Sequence, residues 1–169
     1  MIVIGVDPGA RTGFAVVDDG RLVAASTHRA EMAAVALSGH IMEYEVGFVA
    51  IEIPGAGIYA RPGQNARAMC RIARNVGQCQ ERAEQLCRMA EQMGCEVVRV
   101  HPKRGGTKRA WPATVWRSHF CWVGRMPSNH ARDAALLAER VWIERQAWWT
   151  AFATSSARSI RACCVRSQS

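Results

Sequence analysis

No apolar stretch in this sequence approaches the roughly 20 residues that a membrane span requires, and signal-peptide, lipidation and amphipathic basic-helix patterns are all missing. Membrane-embedded, secreted and surface-anchored proteins are set aside, and a soluble, cytoplasmic protein without membrane contact is expected. CxxC pairs are missing too. The seven cysteines, at 70, 79, 87, 95, 121, 163 and 164, are odd in number and scattered, which argues against a disulfide framework and for reduced thiols. Cys70, Cys79 and Cys87 fall in one expected helix, where small apolar packing is the simpler role. Acids are scarce, 14 against 22 lysines and arginines, so the chain carries a formal charge of +8 and a pI of about 9.6. Such a surface attracts polyanions, nucleic acid first among them.

What is present suffices for one core. At 169 residues with 49% hydrophobic and 21% charged side chains, the chain has the size and balance of a single globular domain rather than of a disordered segment. MIVIGVD (1–7), TGFAVVD (12–18) and RLVAAST (21–27), with an Asp19-Gly20 turn between the last two, read as three antiparallel strands in a meander. Residues 32–44 have helical composition, and GFVAIEI (47–53) is a nearly unbroken apolar run suited to a buried strand. Residues 54–64, rich in glycine and proline, form a loop. Ile72, Val76, Cys79, Ala83, Leu86, Ala90 and Met93 recur every three or four residues, giving a long helix over 65–93 capped by Gly94. CEVVRV (95–100) is a fifth strand, 101–109 a basic loop, 113–122 a short helix, and Ser128 or Asn129 caps a helix from His130 to about Trp148.

That order predicts an α/β domain over residues 1–148: a five-stranded mixed sheet, three antiparallel strands followed by parallel ones, flanked by helices. Residues 149–169 contain three arginines, five serines and no acid, and are expected to form a poorly ordered basic tail.

Asp7 ends one apolar strand and Glu52 stands near the end of another, where burial penalises a carboxylate. Either acid alone is most simply a strand-end residue with a hydrogen-bond partner; two on neighbouring strands suggest a divalent-cation site. In NHARD (129–133), a spacing of three puts His130 and Asp133 on one helix face. On its own that pair says little, because an acid near a helix N-terminus is favoured anyway. Together the four supply three carboxylates and an imidazole, a set suited to Mg²⁺ or Mn²⁺. Acids in a cationic surface that must receive phosphate need cations between, the arrangement of two-metal nucleases. His130 is suited either to ligate or to relay a proton.

These residues resemble a known family. IGVDPGARTGFAVVDDGRL, with Asp7-Pro8-Gly9 and Thr12-Gly13, is similar to the first hairpin of the RuvC-type Holliday junction resolvases of the RNase H-like superfamily, VAIEIP to the strand bearing their catalytic glutamate, and NHARDAALLA to their last catalytic helix. Thr107-Lys108 and FCWVGR (120–125) resemble phage and prophage members most. The likeness covers about residues 1–140 and departs from the family in the tail and after Glu52, where Ile58 or Tyr59 would have to serve as the wedge at the junction centre. It implies an RNase H-like fold, catalytic and metal-binding roles for Asp7, Glu52, His130 and Asp133, two Mg²⁺ or Mn²⁺ ions, a homodimer, and branched DNA cut symmetrically.

For DNA, Arg61, Arg67, Arg71 and Arg74 lie in or after the loop next to Glu52, while Lys103, Arg104, Lys108 and Arg109 crowd the second loop. Both loops are expected to border the acids and to supply phosphate contacts, with Lys108, which matches a family lysine, near the scissile phosphate. Three other readings compete. A D-P-G hairpin also occurs in actin-like ATPases, but these need a second domain and a second phosphate loop. A non-cleaving branched-DNA-binding protein would leave four costly polar groups unused. A broader structure-specific nuclease acting on forks and flaps keeps the chemistry and changes only the substrate.

Overall fold

The computed structural model describes residues 1–55, 65–101 and 111–166, with side chains as far as residue 148. The first three strands are β1 (Ile2–Asp7), β2 (Arg11–Asp18) and β3 (Arg21–Arg29). Asp19 and Gly20 connect the last two with φ of 44° and 79°, the left-handed pair that lets a two-residue hairpin follow the twist of its strands. After one 3-10 turn come α1 (Ala33–Glu43), β4 (Val46–Glu52), α2 (Ala66–Gln92), β5 (Glu96–Val100), α3 (Ala113–His119) and α4 (Asn129–Arg166). The sheet order is β3-β2-β1-β4-β5. β1–β2 and β2–β3 are antiparallel, whereas β1–β4 and β4–β5 are parallel. This is the expected mixed α/β sheet.

Alternation along the strands divides the core between two faces. Ile4, Val6, Phe14, Val16, Val49 and Ile51 pack beneath α1 and α2 with Leu37, Leu86 and Cys87. Val3, Val17 and Ala50 face Leu137, Ala138 and Val141 of α4, and Ala15 meets Trp116 of α3 with Ala134 and Ala135. Each fully buried Val, Ile or Phe in these rows contributes roughly 1.5–3 kcal/mol relative to exposure.

Two helices differ from the sequence expectation. α2 begins at the Asn65 cap, whose side chain accepts from Ala68 N, and ends in a Schellman motif: Gly94 N–H donates to Glu91 O and Cys95 N–H to Ala90 O. Of its seven periodic apolar positions, only Ala83, Leu86 and Ala90 are buried. The reason is length. Twenty-seven residues make a helix of about 40 Å, whereas the seven of β4 extend about 23 Å, so the N-terminal half of α2 overruns the sheet. The last helix, expected to stop near Trp148, is continuous from Asn129 to Arg166.

Candidate active site

β1 and β4 run parallel with Val6 opposite Ile51, so Asp7 and Glu52 follow at the same strand ends. The carboxyl ends of strands are where open α/β sheets place their ligand sites. Both acids fall on the α4 face, because Asp7 continues the row of Val3 and Gly5, and Glu52 that of Phe48 and Ala50. Both are half-buried.

The N-terminus of α4 lies directly on that face because two strand glycines have no side chain. A Cβ on Gly5 would overlap the carbonyl of Ala134, and one on Gly13 would overlap the backbone of His130 and Ala131. Gly13 is the antiparallel partner of Asp7. His130 therefore sits one strand away from the carboxylate, and its Nδ1 meets Asp7 Oδ2 at 2.8 Å. Asp7 is only 15% exposed while His130 is 47% exposed, so solvent reaches the imidazole from the side away from the sheet. Asp133, one turn on, is half-buried beside the fully buried Ala134.

The start of α4 is further fixed by Ser128, whose Oγ accepts from Ala131 N–H at 3.2 Å and whose carbonyl accepts from Arg132 N–H at 3.0 Å. Ser128, of the two candidates, is thus the residue whose side chain caps the helix. Its hydroxyl is also 2.5 Å from Thr27 Oγ1 on β3. Arg132 donates to the Trp111 carbonyl at 3.3 Å and to Asn129 Oδ1, which holds the α4 start against the segment before α3. Trp116 Nε1 bonds the Arg132 carbonyl at 3.4 Å from below.

The sequence thus names four residues that come to one end of the sheet, on one face, and the hydrogen bond between His130 and Asp7 bridges its two halves. Among the described residues, no three His, Cys, Asp or Glu side chains gather closely enough, as they stand, to hold a metal ion. The donor chemistry of the four nevertheless fits a hard divalent ion: three carboxylates and one imidazole, with Asp7 and His130 side by side in direct contact. Gly5 and Gly13 escaped the sequence reading as residues that place α4, although an isolated glycine inside an apolar strand is the signal for close backbone approach.

Of the DNA-contact candidates, Arg67 is exposed at the start of α2. With Asn65, Ala68, Cys70, Arg71 and Arg74 it lines an open groove of about 510 Å³. Gln80 Nε2 donates to the Pro54 carbonyl at 3.0 Å, tying the middle of α2 to the chain just beyond Glu52. Tyr59, Arg61, Lys103, Arg104, Lys108 and Arg109 lie outside the described residues. No helix among the described residues is long and apolar enough to cross a membrane.

No family model and no curated protein sequence matches this chain. Its fold is similar to that of Thermus thermophilus RuvC solved in complex with Holliday junction substrate: TM-score 0.56, 19% identity, covering 82% of this chain and 90% of that one. A second Thermus thermophilus RuvC structure gives TM-score 0.47 and 17% identity over 82% of this chain and 92% of the other. The likeness to the junction complex establishes a RuvC-like, RNase H-like fold, in agreement with the strand order and the mixed sheet.

Proposed function

We propose that this protein is a metal-dependent endonuclease that cuts branched DNA, resolving four-way junctions as a homodimer by paired phosphodiester hydrolysis. The observation that carries the reading is the convergence of Asp7, Glu52 and the His130 turn at one end of a RuvC-like sheet, with Asp7 and His130 in contact. A protein of similar fold, Thermus thermophilus RuvC, was solved in complex with Holliday junction substrate, and the net charge of +8 suits a polyanion.

Asp7, Glu52 and Asp133 would hold the ions, with His130 as a further ligand or a proton relay. Bound Mg²⁺ or Mn²⁺ supplies an activated water and stabilises charge on the leaving oxygen. The protein's own contribution is orientation. A carboxylate accepts hydrogen bonds, so Asp7 Oδ2 favours the imidazole tautomer with the proton on Nδ1. His130 Nε2 is then the nitrogen able to take a proton or bind a metal. The glycine-seated helix fixes the height of His130 and Asp133 above the sheet. Arg67, together with Lys103, Arg104, Lys108, Arg109 and Arg61 from the flanking segments, would neutralise backbone phosphates, making binding steeply salt-dependent. Tyr59 is suited to stack on bases at the junction centre. Two sites related by a two-fold axis would make the paired cuts.

Cleavage of a four-way junction, a fork, a flap and linear duplex is compared at one salt concentration with Mg²⁺ or Mn²⁺. The expected result is paired nicks near the centre of the junction, with Asp7→Asn binding junctions but not cutting them. Equal cutting of linear duplex would remove the resolvase reading, a preference for forks or flaps would broaden it, and full activity in both Asp7→Asn and Asp133→Asn would remove the active site.

A further inference from the structure

Three residues form a single row across the α4 face of the sheet. Asp7 on β1 pairs with Gly13 on β2, and Gly13 pairs with Thr27 on β3. Strands lie about 4.8 Å apart, so the two ends of this row are separated by about 10 Å, close to the width of one helix. The first turn of α4 lies across it. At one end Asp7 Oδ2 holds His130 Nδ1 at 2.8 Å. In the middle the backbone of His130 and Ala131 rests where Gly13 has no Cβ. At the far end Thr27 Oγ1 is 2.5 Å from the Ser128 hydroxyl, which itself caps Ala131 N–H.

We infer that Thr27 is a positioning residue for the catalytic turn, an anchor at the start of α4 that, through Ser128, helps set where His130 and Asp133 stand relative to Asp7 and Glu52. Farther along, Ala134 against Gly5 and the buried Leu137, Ala138 and Val141 seat the body of α4 on the sheet. At the first turn Gly13 sets only the approach, and the contacts at the two ends of the row set its orientation. Ser128 Oγ has one proton to give and two lone pairs to share, so it satisfies Ala131 N–H and the Thr27 hydroxyl together. Thr27 is itself held firmly. Its neighbours Ser26 and His28 point to the opposite face, where Ser26 Oγ lies 3.3 Å from His40 Nε2 of α1 and 3.1 Å from His28 Nε2. The anchoring point therefore belongs to an edge strand clamped from both sides.

The catalytic part of this inference rests on the nuclease reading above; the mechanical part does not. Thr27→Val removes the hydroxyl and keeps the β-branched shape, whereas Thr27→Ser keeps the hydroxyl. Two measurements are made on each full-length variant: single-turnover cleavage of a saturating four-way junction, and hydrogen exchange at the Ala131 amide. In Thr27→Val, cleavage is expected to slow about 10- to 100-fold, the range found when partners supporting first-line metal or catalytic groups are lost. Junction affinity and melting temperature should stay near wild type, and Ala131 should exchange at least about 10-fold faster as its cap loosens. Thr27→Ser is expected to restore both quantities to within about 3-fold. Unchanged cleavage and exchange in Thr27→Val would overturn the inference, as would equal damage in Thr27→Ser or a loss that follows junction affinity. If the unsubstituted protein cut no DNA, the nuclease reading would fall, and the exchange comparison would still decide whether Thr27 anchors the turn.

Discussion

Gly13→Ala tests the central geometric feature of the site. The added methyl would overlap the carbonyl carbon and oxygen of His130 and the nitrogen of Ala131. All three are backbone atoms of a capped helix, so no side chain can swing aside. Restoring ordinary contact near 3.5 Å requires α4 to lift by about 1 Å at this point. Overpacking of this kind destabilises by about 1–3 kcal/mol, and in a chain of this size each kcal/mol lowers the melting temperature by about 2–4 °C. The same lift carries His130 away from Asp7, from the present 2.8 Å. A misplacement near 1 Å costs about 100-fold in rate, equivalent to ~2.7 kcal/mol of barrier. Gly39→Ala is the control, because a Cβ there meets nothing within 4 Å and a helical glycine-to-alanine change gains ~0.5–1 kcal/mol. Urea unfolding and single-turnover junction cleavage of the two variants are expected to diverge, with Gly13→Ala losing on both measures and Gly39→Ala rising slightly in stability. Gly13→Ala with wild-type stability and cleavage would refute the close helix-on-strand contact from which the site is argued.

Two further outcomes follow from titrating groups away from the site. Burial pushes His40 below its ordinary value of 6.5, helped by His28 and opposed by Glu43. The unfolded chain thus takes up this proton near pH 6.5 and the folded chain only at lower pH, so the His40 contribution is fully present above 6.5 and is lost as pH falls through the folded value. Urea midpoints are expected to decline from about pH 7 to 5, and His40→Gln should flatten that decline; an unchanged slope would exclude His40 as its source. Burial also pushes the Cys87 thiol up to about 11, with Glu84 and Glu91 adding to it and Arg99 and Arg88 opposing. Only about one Cys87 in 10³ is then ionised at pH 8. Alkylation followed by mass spectrometry should label the exposed Cys70 and Cys121 first and reach Cys87 only on unfolding; early labelling of Cys87 would contradict its burial.

The strands and helices were legible because their signals are local. The apolar runs MIVIGVD and GFVAIEI, the Asp19-Gly20 turn and Gly94 each specify geometry within a few residues. The alternation of side chains along any strand placed Asp7 and Glu52 on one face once β1 and β4 were adjacent, and the three-residue spacing from His130 to Asp133 needed only a helix. Less legible was how far each element is covered. The apolar period of α2 continues through Ile72 and Val76, yet the sheet beneath it ends first, and no residue in the helix records the length of a strand elsewhere in the chain.

By itself, then, the sequence determined the elements, the acid-bearing strand ends and the imidazole-carboxylate turn, because hydrophobic periodicity and capping act between neighbours in the chain. Only the tertiary structure decided that Asp7, Gly13 and Thr27 share one row, and that His130, 123 residues from Asp7, rests on it. Register and helix seating depend on steric fit between distant segments. A glycine such as Gly13 shows its purpose only when the backbone that would collide with its missing side chain is in place.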